Sequence, residues 1–133
     1  MRVADVMTTD VISINDDAVL VDAAIMLADS HVSGLAVINE RHRLVGVITA
    51  SDIIAAEAEA GDDEARAAVL RETRVGDAMS PQPLVIAPDA TVRAAALEME
   101  YADVHRLFVV LDGKPVGVIS RSDVSRVLSL GRT

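Results

Sequence analysis

The chain has 133 residues, a formal net charge of −9 and a hydrophobic fraction of 51%, drawn almost wholly from Ala, Val, Ile, Leu and Met because one Tyr and one Phe are its only aromatics. A chain of this size suits one ordinary domain, here with an aliphatic core, and the acidic balance with no aromatic platforms argues against nucleic acid as a partner. The absence of cysteine excludes disulfides, thiolate zinc sites and cysteine nucleophiles.

The amino terminus lacks a charged-then-apolar leader and no apolar run approaches the roughly 20 residues that span a bilayer, so a soluble cytoplasmic protein without membrane association is expected.

Taken in order, the chain repeats itself. Val3-Ala4-Asp5-Val6-Met7-Thr8 returns as Val75-Gly76-Asp77-Ala78-Met79-Ser80, an offset of 72 residues from Met7 to Met79. Met7 and Met79 read as core plugs. At the same offset Ile12 and Ile14 match Leu84 and Ile86, an alternation that predicts a short strand. Leu20, Ala23, Ala24 and Leu27 match Val92, Ala95, Ala96 and Met99, the apolar stripe of a core-facing helix. Asp16 and Asp17 before the first helix, and Asp89 and Thr91 before the second, are the expected caps.

Strands are predicted next at Leu35–Ile38 and Leu107–Leu111. Asp112-Gly113 should turn the second of these into a hairpin with Val116–Ile119, and Glu40–Arg43 is the longer counterpart turn in the first repeat. Final helices are predicted over Ile53–Ala60 and Val124–Leu130, stopped by Gly61 and Gly131. Residues 62–74 read as a short connecting helix. The organisation is therefore repeat 1 over 1–61, a connecting segment over 62–74 and repeat 2 over 75–133, each repeat strand-helix-strand-strand-helix. A unit of that size cannot bury its sheet alone, so the two should pack as one pseudo-symmetric α+β body.

Each repeat ends in a related stretch, Gly46-Val47-Ile48-Thr49-Ala50-Ser51-Asp52-Ile53 and Gly117-Val118-Ile119-Ser120-Arg121-Ser122-Asp123-Val124. Thr49 and Ser120 offer a hydroxyl to a phosphate, and Asp52 and Asp123, three residues on, offer a carboxylate to a diol. The same spacing also serves as a helix cap. His31 and His42 have no partners at metal-ligand spacing and read as surface or capping residues, so no metal site is predicted. No nucleophile elbow, zinc-protease motif, phosphate loop or dinucleotide fingerprint is present, which argues against an enzyme.

These features together resemble the cystathionine β-synthase (CBS) domain in tandem, the pair often called a Bateman module. The resemblance rests on the Val-x-Asp-[Val/Ala]-Met openings, the helix-strand-strand succession and both Gly-Val-Ile-[Thr/Ser]-x-Ser-Asp endings, and it covers nearly the whole chain. It implies two β-α-β-β-α repeats packed sheet to sheet and an adenosine ligand such as AMP, ADP or ATP held between them, with pairing into a homodimer.

By the same resemblance Asp52 and Asp123 belong on ribose hydroxyls, Thr49 and Ser120 near phosphate, and Val11, Ile12, Pro83 and Leu84 around the purine. Arg121 and the His105-Arg106 pair match phosphate-facing positions, where the first repeat carries Ala50 and Ser33-Gly34. The proline common in the middle strand is replaced by Ala36 and Phe108.

Of the twelve Lys and Arg residues, only Arg2, Arg41 and Arg43 precede Gly61. A phosphate needs cationic or amide donors, so one competent site, centred on Ser120, Arg121 and Asp123, is expected. The function expected is a regulatory nucleotide-sensing module without catalysis, the alternative being a ligand-free scaffold that dimerises or docks on a partner protein.

Overall fold

A computed structural model of the protein describes residues 1–129. Its first half runs α1 (Val3–Val6), β1 (Ser13–Asn15), α2 (Leu20–Ser30), β2 (Gly34–Ile38), β3 (Leu44–Thr49), α3 (Ala50–Glu57) and α4 (Asp63–Glu72). The second half runs α5 (Val75–Ala78), β4 (Ser80–Pro81), β5 (Val85–Ile86), α6 (Val92–Ala102), β6 (Arg106–Leu111), β7 (Lys114–Ser120) and α7 (Arg121–Ser129), the same succession apart from the added β4 and the missing counterpart of α4. The predicted α+β class and internal duplication are both present. Gly131, expected to stop the last helix, lies outside the described residues.

Two compact units form, one from residues 12–82 and the other from residues 1–11 with the described residues from 83 onward. In the first, the sheet order is β1-β2-β3-β4, with β1 parallel to β2 and the other pairs antiparallel. In the second, β5 runs parallel to β6 and β6 antiparallel to β7. Each sheet buries one helix stripe. Leu20 and Ala23 of α2 join Leu35, Val37 and Ile48 in one core, and Val92, Ala95 and Met99 of α6 join Leu107, Val109 and Ile119 in the other.

The compact units cut across the sequence repeats, because the opening segment of each repeat builds into the unit of the other. Val3 donates its N–H to Ala90 O at 2.8 Å, Val92 donates to Met1 O at 3.0 Å, and Thr8 and Val118 exchange two bonds of 2.9 Å. The equivalent bonds are Val75 N–H to Ala18 O at 2.7 Å and Leu20 N–H to Thr73 O at 3.0 Å, with β4 lying on β3. Val3 and Val75 are fully buried, so each opening helix contributes a core residue as well as hydrogen bonds.

Met7 and Met79 pack against the two cores as expected. The hairpin turn is as expected too: Asp112 and Gly113 both have positive φ, 53° and 79°, which matches the twist of a two-residue loop. His31 and Asp103 occupy equivalent left-handed C-caps of α2 and α6, with φ 53° and 54°.

Other boundaries differ from expectation. Asp16 and Asp17 do not cap α2. Its N-cap is Val19, without a side-chain bond, because Asp16 and Asp17 lie in the turn after β1, ahead of the cap position; the Leu20 N–H donates to Thr73 O. Thr91 does cap α6, accepting from Ala94 N–H at 3.0 Å. α3 ends at Glu57, short of Gly61, which lies next to Asp62, the N-cap of α4. Among the described residues no helix is long and apolar enough to cross a membrane.

Candidate functional site

Both strand-to-helix motifs form the same local structure. Thr49 is the N-cap of α3, and its N–H and hydroxyl both donate to Asp52 Oδ2, at 2.9 and 3.0 Å, while Asp52 N–H donates back to Thr49 Oγ1 at 3.3 Å. Ser120 and Asp123 repeat this with distances of 2.9, 3.0 and 3.2 Å. A hydroxyl residue followed three positions later by a carboxylate satisfies otherwise orphaned amides at a helix start. The capping role read from sequence is therefore real in both repeats.

The motifs differ in what the second carboxylate oxygen does. Asp52 Oδ1 accepts from Ser80 Oγ at 3.0 Å. Asp123 Oδ1 instead forms an ion pair with Arg126, one helical turn on. Asp123 is the one charged residue classed as buried among the described residues, at 6% exposure, whereas Asp52 is half-buried. A carboxylate removed from water needs partners of this kind to remain in place.

The β5-β6-β7 sheet gathers most of the predicted residues of the second repeat at one of its ends. Leu84 O accepts from Phe108 N–H at 3.2 Å, which sets Pro83-Leu84 beside the start of β6. Arg106 is the register partner of Ser120, and Arg121 N–H donates to His105 O at 2.9 Å. Pro83-Leu84, His105-Arg106 and Ser120-Arg121 therefore lie side by side. His105, Arg106 and Leu84 are exposed and Pro83 and Ser120 half-buried.

In the other unit Gly34 occupies the place of Arg106, opposite Thr49. A side chain there would meet the Thr49 and Val47 methyl groups at 3.3 Å. Ile12 lies beside β2, its carbonyl accepting from Ala36 N–H at 3.1 Å. Val11 belongs to the compact unit of the second repeat, one residue across the division from Ile12.

Arg121 has an unexpected orientation. Its Nε donates to Val104 O at 3.0 Å and its Nη2 to Met99 O at 3.5 Å, with Asp103 Oδ1 at 3.7 Å. The guanidinium thus turns toward the α6–β6 turn, and it lines an open cavity of about 480 Å³ together with Met99, Glu100, Asp103 and Val124. Sequence reading did not find these carbonyl partners, nor Arg126 and Ser80 as partners of the motif aspartates. The three-residue step from Asp123 to Arg126 was a usable signal. Ser80, 28 residues from Asp52, gave none.

A duplicated β-α-β-β-α chain with a capped hydroxyl–aspartate pair closing each hairpin defines a class of small paired-repeat modules. The CBS domain family model matches residues 3–59 and 75–130, and the chain belongs to that family. It is similar to the CBS-pair protein CBSX2 from Arabidopsis thaliana, with 30% identity, a TM-score of 0.76 and coverage of 99% of this chain and 97% of that one. A structure of CBSX2 in complex with AMP aligns at 31% identity and TM-score 0.79, covering 98% of each chain. A homoserine O-acetyltransferase from Methanococcoides burtonii is 31% identical over 127 residues, 95% of this chain. The chain spans about a quarter, 24%, of the length of that enzyme.

Proposed function

We propose that the protein is a regulatory module that binds an adenosine nucleotide of the AMP, ADP or ATP type, without chemistry on it, through the second-repeat motif. The observation that carries this reading is the Arg106–Ser120 register pair beside the buried Asp123 carboxylate. It sets a cation, a hydroxyl and a diol acceptor at one sheet end, with Pro83 and Leu84 as aliphatic neighbours for a purine. The first repeat has Gly34 and Ala50 at the two basic positions, so its Thr49–Asp52 pair is the weaker site, with Ile12, and Val11 next to it in sequence, as purine neighbours. The AMP complex of CBSX2 supports the ligand class. The enzyme-length relatives make a regulatory segment attached to a larger protein an equally natural setting for such a module.

The same reading takes the module as cytoplasmic and homodimeric. Ile25 of α2 and Leu97 of α6, equivalent in the two repeats, are 54% and 63% exposed, and Leu128 of α7 is 53% exposed. Apolar helix faces of this kind suit a second copy.

The test is a melting panel with adenosine, AMP, ADP, ATP, NAD and S-adenosylmethionine. A ligand at 100 times its dissociation constant stabilises a protein by about 2.7 kcal/mol when it binds only the folded state. The expected result is a clear upward shift with at least one adenosine nucleotide that is lost in Asp123→Ala and kept in Asp52→Ala. A second reading, the ligand-free scaffold, draws support from the complete internal satisfaction of both aspartates. It would be favoured by no shift with any compound, or by the same shift in Asp123→Ala.

A further inference from the structure

The α6–β6 turn is closed by Val104 N–H donating to Met99 O at 3.0 Å and is braced by one side chain from α7. Arg121 meets four groups of that turn: Met99 O in the last turn of α6, the Asp103 carboxylate, Val104 O, and His105 O through its own N–H. Asp103 sits in the left-handed region with φ 54°, a conformation that a non-glycine residue adopts at some cost and keeps only when its surroundings hold it. Met99 O already accepts from Val104 N–H, and a cation placed at this helix end also suits the helix dipole. Immediately after this turn comes Arg106, the register partner of Ser120. Among the described residues no hydrogen bond or ion pair engages the Arg106 guanidinium.

The first repeat lacks both halves of this arrangement. His31 has the same left-handed backbone as Asp103, but Ala50 stands where Arg121 does and Gly34 where Arg106 does. The clamp and the free cation therefore occur together in one repeat and are both missing from the other.

We infer that Arg121 is a positioning residue, which braces the α6–β6 turn from which Arg106 projects and which acts on a bound phosphate through Arg106 rather than by touching it. This rests on the adenosine-nucleotide reading of the second-repeat motif. It separates two arginines that the family resemblance groups together. Arg106 reads the anion, and Arg121 turns its Nε and one Nη2 donor toward carbonyls of the α6–β6 turn.

A double-mutant cycle on the full chain tests the assignment, with the ratio of adenosine to AMP dissociation constants as readout, measured by calorimetry well below the melting temperature. Loss of a charge-assisted contact in Arg106→Gln should cut that ratio about tenfold. Arg121→Met should cut it several-fold when Arg106 is present and leave it unchanged in the Arg106→Gln background, because a residue that acts through another has nothing left to position. Arg121→Lys, which can still reach one carbonyl, should fall between wild type and Arg121→Met, and it serves if Arg121→Met folds poorly. A further full reduction by Arg121→Met in the Arg106→Gln background would show direct phosphate contact and overturn the inference. A lower melting temperature with an unchanged ratio in both backgrounds would show a purely structural role and also overturn it. If wild type binds none of adenosine, AMP, ADP and ATP, the nucleotide reading itself fails, and this inference with it.

Discussion

Arg106 and Ser120 are direct partners across the β6–β7 hairpin, and side chains of such a pair leave the same face of a sheet about 5 Å apart at Cβ. A basic group and a hydroxyl are thereby brought together by strand register alone, although 13 residues separate them in the chain. Arg106 is exposed, so its attraction for a phosphate acts through water and is open to screening. Raising the salt from about 0.05 M to about 0.5 M, which shortens the Debye length well below 10 Å, should therefore weaken AMP binding several-fold while leaving adenosine binding nearly constant. Calorimetric titrations of both ligands at the two salt concentrations check this. Equal loss for both would place the phosphate away from Arg106.

The motif aspartates also hold the structure, which predicts a cost even without ligand. Replacing a capping group by alanine typically costs about 1 kcal/mol. Asp52→Ala should lie near that value, since Asp52 is half-buried and its other partner is the Ser80 hydroxyl. Asp123→Ala should cost more, about 2 kcal/mol, because the buried carboxylate also holds Arg126 and its removal leaves the Ser120 amide without an acceptor. Urea unfolding of the two variants gives the ordering directly.

Much of this was legible in the sequence because duplication supplies an internal control. The hydroxyl–aspartate step, the α2 and α6 stripes and the Asp112-Gly113 turn each depend on residues within a few positions of one another, and local geometry follows local sequence. What escaped was long-range. The first amide of α2, that of Leu20, donates to the Thr73 carbonyl and not to Asp16 or Asp17. Arg121 found carbonyls 17 and 22 residues away, and a basic residue inside the hydroxyl–aspartate motif carries no sign of which partner it prefers. The exchange of opening segments was equally hidden, since a repeat pattern shows which segments are equivalent but not which copy each packs on.

The glycine of each motif marks where the opening segment crosses the sheet. At Gly117 an added Cβ would fall 2.5 Å from Met7 Sδ and 3.0 Å from Thr8 O. At Gly46 it would meet Met79 Sδ and lie 2.8 Å from Ser80 O. A thioether can swing aside, whereas a paired backbone carbonyl cannot, so the carbonyl distance sets the order of damage. Both alanine variants should be destabilised within the overpacking range of about 1–3 kcal/mol, Gly46→Ala more than Gly117→Ala. Denaturant midpoints of the two, each compared with the corresponding Met7→Ala or Met79→Ala double variant, check both the order and the cause. Shortening the methionine should return part of the loss in each case.

Val3 and Val75 offer the sharpest check on the exchanged packing. Each is fully buried, Val3 among Val92, Leu107 and Ile119 and Val75 among Leu20, Leu35 and Ile48. Truncation to alanine removes two methyl groups' worth of burial and leaves a small cavity, at a cost of about 2 kcal/mol. The location of that loss is the informative part. If the opening segments pack as observed, Val3→Ala should speed amide exchange in β6 and β7, 100 residues downstream in the chain, more than in β2 and β3. Val75→Ala should do the reverse. Site-resolved hydrogen exchange on the two variants would show the opposite pattern, each mutation loosening the sheet of its own repeat, if the segments instead folded back on the sequence that follows them.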